Sequence, residues 1–161
     1  MIWVLLALFL TTLCFGFVVF FGAPYVPTLT KQMNIALDFM DLQKGQTMLE
    51  LGCGDGKVLI AAAERGWKVV GYELNPILAL VAYLRTRRYG SQVRVVCSNF
   101  WMAKWPVTDG VYGFILPKYM KRLNKKVMQE CSQPVKVVSF AFVIPNKKPV
   151  RVKDSVFLYQ F

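Results

Sequence analysis

The chain has 161 residues, room for one domain of ordinary size, and 55% of them are hydrophobic, which excludes a disordered tail or a polar linker. Its 20 Lys and Arg against 9 Asp and Glu give a net charge of +11, so the folded part favours anionic surroundings: a lipid face, a nucleic acid or an acidic partner. Histidine is absent, which removes Ser-His-Asp and Cys-His catalysis, imidazole metal sites and histidine proton shuttles together. Cys14, Cys53, Cys97 and Cys131 stand more than thirty residues apart and make no CxxC pair. Neither a zinc site nor a disulfide framework is expected, no metal is expected, and the thiols read as reduced and intracellular.

Residues 1–23 contain no charged side chain and are apolar all round. At a rise of ~1.5 Å per residue, such a helix reaches roughly 33 Å, enough to cross a hydrocarbon core. A cleavable signal peptide fits less well, because there is no basic leading segment, the apolar run is long, and Phe21-Gly22-Ala23 makes a poor cleavage site. A buried helix of a soluble domain would need a polar face that this segment lacks. The expectation is a retained single-pass anchor, ended by Pro24 and Pro27. Every Lys and Arg follows it, beginning at Lys31, which places the C-terminal domain on the cytoplasmic or matrix side. The lack of an Arg-rich and Ser-rich presequence favours a prokaryotic plasma membrane over a mitochondrial one.

Residues 24–41 form a linker that is partly helical, with Met33, Ala36, Leu37 and Met40 at helical spacing. Residues 42–161 alternate strands and helices. Met48 to Leu51 is a short apolar strand running into Gly52, and a helix through Val58, Leu59 and Ala62 stops at Gly66. Lys68 to Glu73 is a second strand, and Pro76 opens a helix through Arg88 that ends at Gly90. Strands at Val93 to Cys97 and Val111 to Leu116, a helix from Lys118 to Cys131, and a strand from Val135 to Val143 follow; Val150 to Lys153 and Val156 to Phe161 are closing strands. This alternation predicts an α/β fold: a Rossmann-like, doubly wound, mostly parallel sheet with helices on both faces. There is no internal repeat and no low-complexity segment.

Two strand ends carry the chemistry. Glu50-Leu51-Gly52-Cys53-Gly54-Asp55-Gly56 sets three glycines at alternate positions where a strand passes to a helix, so the backbone can approach a ligand closely. The spacing is GxGxG rather than the GxGxxG of dinucleotide sites, because Lys57 stands in the last place. Glu50 and Asp55 would repel a pyrophosphate but suit a cation, as in S-adenosylmethionine, whose methionine end bears an amine and a sulfonium. Glu73, twenty-one residues after Gly52 and at the end of the second strand, is placed to accept ribose hydroxyls.

On these motifs the chain resembles the class I, seven-strand S-adenosylmethionine-dependent methyltransferases over most of residues 42–161. A narrower resemblance rests on Pro24-Tyr25-Val26-Pro27-Thr28 after an apolar segment, Thr30-Lys31-Gln32, and Gly71-Tyr72-Glu73-Leu74-Asn75-Pro76. Together these are similar to the small membrane-anchored lysine methyltransferases of mitochondria, which act on the c-ring protein of ATP synthase or the adenine nucleotide translocase, and to their prokaryotic relatives. The chain departs from that pattern at Asn99-Phe100-Trp101, where the family usually begins with an acidic residue.

The resemblance and the residue chemistry imply cofactor-binding roles. Gly52, Cys53, Gly54 and Gly56 would line the backbone cradle, Glu50 and Asp55 the methionine end, Glu73 the ribose, and Asn75, Asn99 and Phe100 the adenine. Trp101, Pro117 and Tyr119, with Leu116, lie on the acceptor side and form the candidate catalytic set, each aromatic equally readable as core. Trp101 and Tyr119 are able to face a methylammonium by cation–π contact. Thr28 either closes the site from the linker or caps a helix. Methyl transfer to an amine works by positioning and desolvation, so the missing histidine is no obstacle. Lys118, Lys121, Arg122, Lys125 and Lys126 make a basic helix face, and Arg85, Arg87 and Arg88 end an earlier helix. They read as a solvated surface or one drawn to anionic lipid; no nucleic-acid module is recognisable. The expected activity is methyl transfer to a lysine of an integral membrane protein. The alternatives are a methyltransferase for a lipid, quinone or other membrane-soluble molecule, and a cofactor-binding assembly factor without turnover.

Overall fold

The computed structural model describes residues 2–6, 8, 9, 12, 16, 26, 28–132 and 134–161. Its elements are α1 (Thr30–Met40), β1 (Thr47–Leu51), α2 (Lys57–Glu64), β2 (Lys68–Glu73), α3 (Pro76–Thr86), β3 (Val93–Cys97), β4 (Gly110–Gly113), α4 (Met120–Glu130), β5 (Lys136–Phe140), β6 (Arg151–Lys153) and β7 (Val156–Gln160), with short 3-10 turns at Arg87–Gln92 and Pro117–Tyr119. The strands form one sheet in the order β3-β2-β1-β4-β5-β7-β6. The first five are parallel, and β7 runs antiparallel to β5 and β6. The doubly wound, mostly parallel sheet is as expected.

Most of the apolar segment at residues 1–23 lies outside the described residues. Those described at 2–6, 8, 9, 12 and 16 are helical, and among the described residues no helix is long and apolar enough to cross a membrane. In the linker, α1 buries Met33, Ala36, Leu37 and Met40, the spacing the sequence shows. It ends at Asp41, whose φ of 40° breaks the helix in the left-handed region.

Central strands buried on both faces read as continuous apolar runs, and β1 buries Met48, Leu49, Glu50 and Leu51 in succession. One face, carrying Met48, Val69, Tyr112 and Val138, packs on α1 and α2 and on Ala82 of α3. The other, with Leu49, Val111, Val137 and Tyr159, packs on Met120, Leu123 and Val127 of α4. No helix joins β3 to β4. Instead Trp105 buries its indole there and donates from Nε1 to the Phe100 carbonyl, 3.0 Å, and from its backbone N to Glu130 Oε2, 3.0 Å. Lys126 donates to Ala103 O and Glu130 Oε1, each at 3.0 Å, so this lysine is buried rather than on the solvated face where helical spacing placed it. The Trp105 N–H, followed by Lys126, holds the Glu130 carboxyl below the usual carboxylate range.

Several boundaries differ from expectation for local reasons. The third helix stops at Thr86, and a 3-10 turn with Gly90 at φ 54° carries the chain into β3. The fourth strand ends at Gly113 rather than Leu116, and the following helix is preceded by a 3-10 turn opened by Pro117. The fifth strand ends at Phe140 rather than Val143, because Ala141 takes a φ of 67°. Cys53, Cys97 and Cys131 form no disulfide among the described residues, and Cys14 lies outside them.

Gly71, in the middle of β2, is required by packing. A Cβ there would lie 2.8 Å from Leu59 Cδ1 and 2.9 Å from both Cβ and Sγ of Cys53. Gly71→Ala is therefore expected to lower stability by about 1–3 kcal/mol, read by thermal denaturation, and to displace Cys53 and the loop that holds it.

Candidate active site

The site is built where the parallel strands end. β1 delivers the chain into a loop whose Gly52, Gly54 and Gly56 have φ of 85°, 53° and 80°, a region that side-chain-bearing residues enter at a cost. At Gly52 the space a Cβ would fill is open, with no atom within 4 Å. At Gly56 a Cβ would meet Ala82 Cβ at 3.1 Å, so this glycine lets α2 start tight against α3. The loop is hung from β2 by its amides: the N–H groups of Gly52 and Cys53 both donate to Tyr72 O at 2.9 Å.

Glu73 closes the arrangement. Its Oε2 accepts from Gly54 N and its Oε1 from Asn75 N, both at 2.8 Å, and the carboxylate is buried. Ser98 N donates to the Glu73 carbonyl at 2.9 Å, which brings the end of β3, and with it Asn99, alongside. Each carboxylate oxygen keeps a second lone pair, so Glu73 shapes the loop and still has acceptors left for hydroxyl groups.

Glu50 sits in the row below the loop, between Gly71 of β2 and Tyr112 of β4. It is buried, and its Oε2 has no hydrogen-bond partner. Burial, then Asp55 and Glu73, push its carboxyl well above the usual carboxylate range. A buried acceptor without a donor is costly unless a ligand completes it.

The other loop side chains are committed elsewhere. Cys53 turns its thiol into the core against Gly71, where burial pushes its pKa up, so only its backbone borders the cradle. Asp55 pairs with Arg85 of α3 through Oδ2, while Oδ1 accepts from Lys57 N at 3.2 Å. Its carboxylate thus fastens the loop to α3 instead of standing open for the methionine end. Asn75 is the N-cap of α3: its Oδ1 accepts from Ile77 N at 2.9 Å and Leu78 N at 3.3 Å, which takes up the oxygen expected to reach adenine. Asn99 Oδ1 accepts from Trp101 N at 2.9 Å, capping the turn that presents Phe100 and Trp101.

The linker also reaches the site. Thr28 Oγ1 lies 3.3 Å from Tyr112 Oη, and burial raises the Tyr112 phenol above its ordinary value. Lys57 Nζ donates to Thr28 O at 3.1 Å and to Thr30 Oγ1 at 2.9 Å. The N-cap of α1 is Leu29, without a side-chain cap bond, so of the two roles for Thr28 the structure carries the site-closing one. Lys57 is the residue the sequence reading missed here; its place after the third glycine was read only as the loss of a glycine.

On the acceptor side the rings of Phe100 and Trp101 are 4.6 Å apart, and those of Trp101 and Tyr119 5.9 Å. Each of the latter two already carries a cation of this chain, Arg122 at 4.6 Å from the Trp101 ring and Lys118 at 4.9 Å from that of Tyr119. Pro117 is exposed at the start of its 3-10 turn.

A sheet in this strand order, with an antiparallel β7 and a glycine loop closed onto an acidic strand end, is that of the class I methyltransferases. The chain belongs to the family of the ANTKMT methyltransferase domain, whose sequence model matches residues 50–151. It is 32% identical over 142 residues to the human lysine N-methyltransferase of the ATP synthase c-ring protein, covering 84% of this chain and 60% of that enzyme. To a protein-lysine N-methyltransferase of Saccharolobus islandicus it is 29% identical over 148 residues, 84% of this chain and 92% of the other. The solved structure of an RNA methyltransferase from Salinibacter ruber, in complex with S-adenosyl-L-homocysteine, superposes with a TM-score of 0.76 at 25% identity, over 84% of this chain and 92% of that one. The chain thus spans about three fifths of the length of the human relative and nearly all of the Saccharolobus one.

Proposed function

We propose that this chain binds S-adenosylmethionine at the β1–α2 loop and methylates the Nε of a lysine in a membrane-embedded protein. The observation that carries the cofactor reading is the unpartnered, buried Glu50 Oε2 beneath an open glycine loop. A buried carboxyl in need of a donor, beside Asp55 and Glu73, fits an ammonium and opposes a phosphate. S-adenosylmethionine supplies a methyl group on a positively charged sulfur. Glu50 accepts from the ligand's amine, Gly52 and Gly54 let the backbone approach it, and Glu73 offers its remaining lone pairs to the ribose. Asn99 and Phe100 border the adenine, and Trp101, Pro117 and Tyr119 form the outer rim on the acceptor side. A closed, poorly hydrated pocket favours the neutral amine over the ammonium, which is the state that attacks.

Lysine as acceptor is supported by the activity for which the human and Saccharolobus relatives are named. Location at a membrane is supported by the uncharged residues 1–23, which we read as a retained anchor, and by the placement of every Lys and Arg after them. The folded domain then faces the cytoplasm or a matrix, against an anionic lipid surface. The test is incubation of detergent-solubilised full-length protein with methyl-labelled S-adenosylmethionine and a membrane fraction, followed by separation of protein from lipid. Label mapped to lysine of a small membrane protein is the expected result. Label in the organic phase assigns a lipid or quinone substrate, and cofactor binding without label assigns an assembly role; either overturns the lysine reading.

A further inference from the structure

Parallel register sets four residues in one line across the C-terminal edge of the sheet. Leu51 pairs with Tyr72 on one side and Gly113 on the other, and Gly113 pairs with Ser139. One step further along each strand come Glu73, Gly52, Phe114 and Phe140. At about 4.8 Å between neighbouring strands, the Phe114 backbone lies roughly 5 Å and that of Phe140 roughly 10 Å from the Gly52 backbone. The line reads carboxylate, open space, ring, ring.

A third ring joins them. Phe114 lies 4.7 Å from Phe140 at an interplanar angle of 51°, and 6.1 Å from Phe142 at 20°. Phe142 is brought back by Ala141, whose φ of 67° is costly for a residue with a Cβ. The turn is held on both sides: Ser139 Oγ donates to Phe142 O, and Ala141 N donates to Ser155 O at 2.8 Å. All three rings are only half-buried.

Their lack of a cation is informative in so basic a chain. Elsewhere Lys and Arg cap the rings of Phe39, Trp67, Trp101, Trp105, Tyr119 and Phe161. Among the described residues none caps Phe114, Phe140 or Phe142.

We infer that Phe114, Phe140 and Phe142 form an aromatic wall that binds the methylated ammonium of the acceptor side chain beside the cofactor loop. This rests on the methyl-transfer reading and names the residues that select its substrate: an alkylammonium, held by ring faces and by packing of its aliphatic stem. Trp101 and Tyr119, already capped, play no part in that selection.

The test is calorimetric titration of the full-length protein in detergent, saturated with S-adenosylhomocysteine, with two probes: free Nε-trimethyllysine and its neutral isostere with carbon in place of the charged nitrogen. The wild type is expected to bind the cation roughly 5- to 30-fold more tightly. Phe140→Leu and Phe142→Leu are expected to bring the two probes within about twofold while S-adenosylhomocysteine affinity stays unchanged, which shows the fold intact; Trp101→Leu leaves the preference in place. No preference in the wild type, a preference that survives both leucine variants, or one that disappears in Trp101→Leu overturns the wall. The two readings fail separately. A protein that prefers the cation yet transfers no methyl to lysine loses the functional reading and keeps the wall, whereas a lysine methyltransferase indifferent to the probe's charge loses the wall alone.

Discussion

Glu73→Gln is expected to weaken S-adenosylhomocysteine binding by about 5- to 150-fold, nearly as much as Glu73→Ala. Both carboxylate oxygens accept a backbone N–H, from Gly54 and from Asn75, each at 2.8 Å. An amide keeps one acceptor and turns an NH2 toward the other donor, leaving a buried N–H unsatisfied at about 1–3 kcal/mol. The loss falls on the glycine loop, because Gly54 is held in its left-handed conformation by this contact. Calorimetry with S-adenosylhomocysteine reads the affinity, and circular dichroism confirms that the sheet persists. A glutamine variant that binds within twofold of the wild type would show that Glu73 is not the clasp of the loop.

Glu50→Gln is expected to act in opposite directions on stability and on binding. The folded-state pKa of Glu50 is raised, chiefly by burial, above the unfolded value near 4.5, so the folded chain holds a proton that the unfolded chain releases. Its contribution to stability is complete below the unfolded pKa and is lost as pH rises through the folded one. Glutamine removes that loss, so the ligand-free variant should melt higher than wild type at neutral and alkaline pH. For a chain of this size each kcal/mol recovered is about 2–4 °C. Binding should weaken by about tenfold or more, since an ammonium loses its charged partner. In the wild type, uptake of a cationic ligand should release a proton from Glu50, and affinity should rise with pH. Melting curves and titrations at several pH values check both; a variant that melts lower at high pH, or a wild-type affinity indifferent to pH, contradicts the role assigned to this carboxyl.

The features legible before folding are those written in short stretches. The strand into Gly52, the alternating glycines, and Glu73 at the end of the next strand define the cradle locally, and the structure brings them together as read. The helical spacing of Met33, Ala36, Leu37 and Met40 likewise predicted the buried side of α1. Periodicity gave no warning that Lys126 is buried, because its burial depends on the Trp105 loop, which replaces a helix between β3 and β4. Nor did composition distinguish the three acidic residues near the loop. Glu50 is left without a donor at Oε2, Asp55 is taken by Arg85, and Glu73 is taken by two amides.

By itself, then, the sequence determined the sheet, the position of the glycine loop and the chemical class of its ligand, since each follows from residues a few places apart whose backbone and charge act locally. Tertiary structure decided which side chains remain open to that ligand, and it aligned Glu73, Gly52, Phe114 and Phe140 in one row. That alignment rests on parallel pairing between strands far apart in the chain, where a shift of one residue would send every side chain to the opposite face.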